Sequence, residues 1–281
     1  MTGPDLIFRR GRKTVMETDD PIAELTLQPW TPDEELLNPA GAGVCAMAAD
    51  DPARLDAIRA ELERGFGALC GIAQGVSIFG SARTPETDPD YGRARQLAAA
   101  LGREGFTIIT GGGPGIMEAA NRGAQDAGAT SVGLNIELPF EQKANPYLDI
   151  SLQFEHFFAR KVMFVRYASA FVVFPGGFGT LDELFEAITL IQTAKIRHFP
   201  VILVGCAFWE GLYSWASEQL CATAKINADE LGLLAITDDL DGVVATITAA
   251  HGRQRRETEQ RRGEAGRAQR DEGEHARRVR P

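Results

Sequence analysis

Cysteine is scarce in this 281-residue chain, and what there is does not pair. Cys45, Cys70, Cys206 and Cys221 are scattered, with no CxxC spacing and no paired histidine beside them. That pattern suits neither a zinc site nor a disulfide framework, so buried free thiols in a reducing cytoplasm are expected and no metal site is. Long apolar runs are missing too. No stretch approaches the roughly 20 residues of a membrane span, and the opening "MTGPDLIFRRGRKTV" lacks the apolar core of a secretory leader. A cytoplasmic protein without a membrane partner is the expectation. An excess of positive charge is also lacking. The net charge of −10 argues against a nucleic-acid partner, which would want a basic face, but one local pocket suffices for a small phosphorylated molecule. Two nucleotide-binding motifs are absent as well. No GK[ST] exists for a P-loop. A GxGxxG starting at Gly113 would need glycine where Glu118 stands, and its turn would follow the second strand rather than the first.

The chain does contain a regular alternation. Short apolar runs at 75–81, 106–113, 131–136, 149–155, 170–175, 200–205 and 234–238 are separated mostly by stretches of helical period. Strands and helices alternating at this spacing predict parallel strands in a doubly wound α/β sheet. "FVVF" and "VILV" are apolar on both faces, as central parallel strands are. The pattern is continuous over 53–250, which predicts a single domain. Residues 1–52 mix Pro, Asp, Glu and Thr without period and read as a flexible N-terminal arm, with Trp30 as its anchor. The last thirty residues hold ten Arg and six acids, with three Ala and one Val as their only apolar residues. Such a segment buries too little to offset its ordering entropy, so a disordered charged tail is expected over 251–281.

In doubly wound sheets ligands bind beyond the carboxyl ends of the strands. Three of those ends carry glycine: Gly80-Ser81, Gly111-Gly112-Gly113 and Gly176-Gly177. The last opens "PGGFGTLDELFE". Gly177, Gly179 and Thr180 there have the makings of an anion cradle, because the N–H groups at a helix start are free and the helix end is positive. A tight strand-to-helix turn accounts for the glycines equally well. Thr180-Leu181-Asp182-Glu183 also fits a capping box, with Thr180 as N-cap, Glu183 reaching back and Asp182 opposing the dipole. Local sequence leaves these readings open. The preceding helix, expected from about His156 to Ala168, adds a second observation. At 100° per residue Phe154, Phe157, Phe158, Phe164, Val165 and Ala168 share one face, with Lys161 near its middle and Arg160 on its border. A cation on an apolar face needs an anionic partner or an escape to solvent, and the planar fork of arginine suits a carboxylate or phosphate.

At these residues the chain resembles the LOG ("lonely guy") family, formerly labelled lysine-decarboxylase-like. "PGGFGTLDE" fits PGGxGTxxE, "ARKVMF" supplies the Arg-Lys pair ahead of it, and "GGGPGIMEAAN" lies upstream, a highly specific combination. The resemblance covers roughly residues 70–250 and implies a Rossmann-like sheet, a homodimer, and hydrolysis of a nucleoside 5′-monophosphate, cytokinin-type or ordinary purine, to free base and ribose 5-phosphate. It implies Arg160 and Glu183 as the catalytic pair and Gly176, Gly177, Gly179 and Thr180 as phosphate ligands. Ser81, Glu118 and Lys161 would be further substrate-binding residues, and no metal or organic cofactor is implied. The old decarboxylase label asks for a Schiff-base lysine and a partner for a pyridoxal ring nitrogen. Lys161 is the one lysine of five beside the expected site, and nothing marks the second group.

Overall fold

The computed structural model describes residues 31–37, 51–138, 143–196 and 199–278. Most of the expected arm, Trp30 included, lies outside the described residues. Its described residues are 31–37, which form helix α1 (Pro32–Leu37), and 51–52, where α2 (Asp51–Ala68) starts. Seven parallel strands follow: β1 (Gly75–Phe79), β2 (Thr107–Thr110), β3 (Ser131–Ile136), β4 (Ile150–Phe154), β5 (Ala168–Val173), β6 (Val201–Val204) and β7 (Ala235–Thr237), in the order β4-β3-β2-β1-β5-β6-β7. This is the doubly wound, Rossmann-like α/β sheet that the alternation predicts.

The central strands β1, β5 and β6 are buried almost throughout because both faces are covered, whereas the edge strand β4 alternates partly buried and exposed residues. Along β5 and just beyond it, Ala170, Val172 and Phe174 point into a core shared with α3 (Pro89–Arg103), α4 (Ile116–Asp126) and the start of α9 (Leu240–Arg278). Phe171 and Val173 point the other way, into a core shared with α5 (Phe157–Arg166), α6 (Phe178–Gln192) and α7 (Cys206–Trp215). Trp209 is buried there, with its indole N–H donating to the Val204 carbonyl at 3.1 Å. Truncating an aromatic such as Phe171 in this layer would cost about 3–5 kcal/mol. Local signals set the helix starts. Asp88 caps α3 ahead of Pro89 by accepting from the Asp90 N–H at 2.9 Å. Asn227 and Glu230 close a reciprocal capping box on α8 (Ala228–Leu231).

Helix α9 runs on through the charged segment to Arg278. Arg, Glu, Gln and Ala are good helix formers, and charge pairs such as Arg255–Glu259 at 3.7 Å support the helix beyond its core residues. Three expectations give way. Cys70 is exposed, Cys206 and Cys221 are partly so, and Cys45 lies outside the described residues. The inner face of α5 is Ala159, Met163 and Phe164, while Phe157 and Phe158 stay two-fifths exposed. Phe157 instead lies against the Arg160 guanidinium at 5.0 Å, and Phe158 against the His156 ring at 5.5 Å. Finally, Thr180 does not start α6. The N-cap lies three residues earlier, at Gly177, with no side-chain capping bond. Thr180 Oγ1 is spent elsewhere: a Cβ at Gly176 would collide with it, so the hydroxyl packs onto the glycine turn.

The topology also fixes where a crevice must open. The chain leaves β1 through β2 and β3 to the edge strand β4. Helix α5 then carries it back across the sheet to β5, on the other side of β1. The connections beyond the carboxyl ends of β1 and β5 therefore diverge, and a gap remains between them.

Candidate functional site

Three connections meet at that gap and are tied through Ser81. Its N–H donates to the Pro175 carbonyl at 3.0 Å, and its carbonyl accepts from the Ile116 N–H at 3.1 Å. Its hydroxyl accepts from the Arg83 N–H at 3.0 Å. The turn after β1, the turn after β5 and the start of α4 are thereby fixed relative to one another. Gly115, at φ 70°, makes the last junction possible, because a Cβ there would strike the Ser81 carbonyl. Beside it, Thr110 Oγ1 accepts from the Gly112 N–H at 2.9 Å, and buried Asn121 and Asn145 complete a polar network beneath the second glycine turn.

Between these connections lies a cavity of about 720 Å³. Six of the nine expected site residues line it: Ser81, Arg160, Gly177, Gly179, Thr180 and Glu183. A Cβ added at Gly177 or Gly179 would meet nothing within 4 Å, so the backbone at the start of α6 lies open. The first N–H groups of a helix have no intrahelical acceptor, and here they stand at the cavity wall. The other three expected residues are placed differently. Gly176 sits behind the wall and packs on Thr180. Glu118 lies in the first turn of α4 and accepts from the Tyr91 hydroxyl at 3.1 Å. Lys161 joins Asp182 at 2.8 Å and Glu186 at 3.3 Å on the outer side of the α5–α6 contact.

Glu183 is in the second turn of α6, not at its cap, and its carboxylate faces Arg160. The Arg160 Nη2 to Glu183 Oε1 distance is 3.4 Å, and the side chains are 13% and 5% exposed. The guanidinium lies over the rings of Phe157 and Phe164, 5.0 and 5.6 Å from their centroids. Its Nε is buried without a hydrogen-bond partner. Burial lowers the Arg160 pKa from the ordinary guanidinium value, with Glu183 opposing that shift. Burial pushes Glu183 up from 4.5 to about 7. Arg160 and Lys161 pull it down, and Glu186 and Asp182 add to the rise. A carboxyl held near neutrality beside a fixed cation, in a cleft, can exchange a proton at physiological pH.

Sequence reasoning missed several residues of the lining. Arg83 stands at the rim in an aperiodic loop, where no pattern marks it. Met117, Phe157 and Phe178 supply apolar surface. Phe178 is 93% exposed. An aromatic with a glycine on each side at a helix start has no core to join, and that signal was legible.

Comparison with known proteins places this geometry. A family model described as "Possible lysine decarboxylase" matches residues 117–247. A cytokinin riboside 5′-monophosphate phosphoribohydrolase of Mycobacterium marinum is 31% identical over 150 residues, 53% of this chain and 80% of the relative. A pyrimidine/purine nucleotide 5′-monophosphate nucleosidase of Escherichia coli K12 is 30% identical over 126 residues, 41% of this chain and 28% of that one. Among solved structures, the molybdenum cofactor carrier protein of Chlamydomonas reinhardtii aligns over 64% of this chain and 99% of its own, with 23% identity and a TM-score of 0.45. The match to most of the mycobacterial protein, together with the family model, shows that this chain belongs to the possible lysine decarboxylase, or LOG, family.

Proposed function

We propose that the cavity hydrolyses the N-glycosidic bond of a nucleoside 5′-monophosphate to free base and ribose 5-phosphate. The observation that carries this reading is the buried Arg160–Glu183 pair facing a cavity whose adjoining wall is the open start of α6. The phosphate would sit on the N–H groups of Gly177, Gly179 and Thr180, with Ser81 and Arg83 across from it. Cleaving the bond from C1′ to the base nitrogen builds positive charge on the ribose. The Glu183 carboxylate, one turn along the helix, stabilises that charge and takes a proton from the attacking water, whose oxygen ends on C1′. The departing base accepts a proton in turn. Arg160 holds Glu183 in place and offers its free Nε to a substrate oxygen. The apolar lining from Met117, Phe157 and Phe178 suits the face of a base.

The decarboxylase description of the family has little physical support here. Burial pulls Lys161 down, but Asp182, Glu183 and Glu186 outweigh it, so its pKa is raised. An imine-forming lysine needs the opposite. A protein that only binds nucleotides or sugar phosphates would use the glycine turn and a cation, yet gains nothing from a costly buried carboxylate beside them. The reading includes a homodimer. Phe158, Val162 and Phe185 are 41%, 42% and 40% exposed on the neighbouring helices α5 and α6, surface that a second copy would cover, and sedimentation tests this.

The deciding experiment is incubation with AMP, GMP, CMP and an isopentenyladenine nucleotide, each beside its nucleoside, with free base measured. The monophosphates should exceed the nucleosides in kcat/KM by about 100-fold, the scale of a few charge-assisted hydrogen bonds. Equal values for AMP and adenosine would remove the phosphate cradle. Binding without release of any base would give the site to the non-catalytic reading.

A further inference from the structure

Helix α5 carries Arg160 in its first turn, and its entry is held by carboxylates from far upstream. Glu61 of α2 is 2% exposed. It accepts from the Glu155 N–H at 3.1 Å, from the His156 N–H at 3.4 Å, and from His156 Nδ1 at 3.0 Å. Asp33 of α1 accepts from the Phe157 N–H at 3.1 Å. Three successive backbone donors at the helix start are thus met by two acidic side chains, as the helix dipole favours. His156 is the N-cap of α5, and its carbonyl receives the Arg160 N–H at 3.4 Å. Glu61 therefore reaches Arg160 through one residue. Further along, α2 lies hard against α5: a Cβ at Gly65 would come within 2.6 Å of the Met163 sulfur, and Arg166 lies over the Phe66 ring at 4.4 Å. Both α1 and α2 lie outside residues 117–247, which the family model matches.

We propose that α1 and α2 act as a clamp on the Arg160 helix, with Glu61 and Asp33 as positioning residues that set the register of its first turn. Core packing through Ala159, Met163 and Phe164 holds α5 against the sheet. It does not fix how far the helix start slides or rotates; the acceptors of its end N–H groups do. The margin is small, because the Arg160–Glu183 contact is already 3.4 Å long. A displacement of about 1 Å costs a catalytic constellation as much as 10²-fold. The inference rests on the reading of Arg160 and Glu183 as the working pair.

The test compares Glu61→Gln and Asp33→Ala with wild type in kcat, KM and the pH profile of kcat. Glu183 faces Arg160 and Lys161 from α5, Asp182 and Glu186 on its own helix, and Arg83 across the cavity. A retreat of Arg160 removes one cation from this set, so the acid limb of the profile should move upward by about a unit. We expect kcat to fall roughly tenfold or more in Glu61→Gln, and less in Asp33→Ala, with KM held within about twofold. Val243→Ala, in the core on the opposite face of the sheet, should lower the melting temperature without moving the limb. An unchanged limb and kcat in both clamp variants would overturn the proposal, as would the same shift in Val243→Ala. If Glu61→Gln does not fold, Asp33→Ala decides alone. If wild type cleaves no nucleotide, the carboxyl NMR titration of Glu183 replaces the rate. An upward move in the clamp variants then upholds the clamp while the catalytic reading falls, and no move overturns the clamp.

Discussion

At the residue scale, Glu183 is the group on which most depends. Glutamine keeps its shape and its contact with Arg160 but carries no charge to oppose an oxocarbenium ion and accepts no proton from water. Glu183→Gln should therefore bind nucleotide normally while kcat falls by about 10²-fold, the scale of losing a positioned acid–base group. Near-wild-type turnover would end the proposed mechanism. In the proposed mechanism the ionised form does the work, so kcat/KM should drop as pH falls below the Glu183 value of about 7. The same shift has a consequence for stability. A carboxyl raised from 4.5 to about 7 on folding favours the folded state fully below the lower value, and that contribution is lost as pH rises through the upper one. Glutamine does not titrate. The stability of wild type relative to Glu183→Gln should thus decline between about pH 5 and 8, and melting curves across that range check it.

At the scale of single elements, the long helix α9 divides into a part that packs and a part that does not. Val243, Ile247 and Ala250 are buried, and His251 stacks edge-on against Phe106 and meets Ser169 Oγ at 3.2 Å. Arg255, Arg256, Glu257 and Glu259 are exposed. Ending the chain after residue 260 should leave melting temperature and turnover as they are. Ending it after 245 removes the Ile247 and His251 contacts and should cost about 3 kcal/mol or more. The central strands β5 and β6 were legible because both-face burial writes itself as runs such as Phe171-Val172-Val173 and Val201–Val204, and the others by their spacing between helical stretches. The outward part of α9 was not, since composition reports what a segment can bury and a helix of alternating charges buries nothing. The N-cap of α6 was misplaced by three residues, and that offset created the capping box. Once Gly177 is the cap, Glu183 is free to turn toward Arg160. The Arg160–Glu183 pairing itself was legible only through the family motif, because the two residues belong to different elements. Glu118 shows the reverse: its motif position suggested the cavity, but α4 aims it at Tyr91.

At the scale of the whole molecule, the cavity lies on the boundary between two stretches of chain. Residues before α5 bring Ser81, Arg83 and Met117, and residues from α5 onward bring Arg160 and the start of α6. The sheet continues across the boundary through the parallel pairing of β1 with β5. A nucleotide lodged there, as the proposed function requires, would act as a staple between halves that the backbone joins by a single crossover. Saturation at 100 times Kd would add about 2.7 kcal/mol to the folded state. In Glu183→Gln, which should hold AMP without consuming it, the nucleotide should raise the melting temperature and slow amide exchange along β1 and β5 together. Protection confined to α6 would show that the ligand grips one half alone. On the proposed function, a stapled seam would tie the lifetime of the fold to the supply of nucleotide, and the protein would be most perishable when there is nothing for it to cleave.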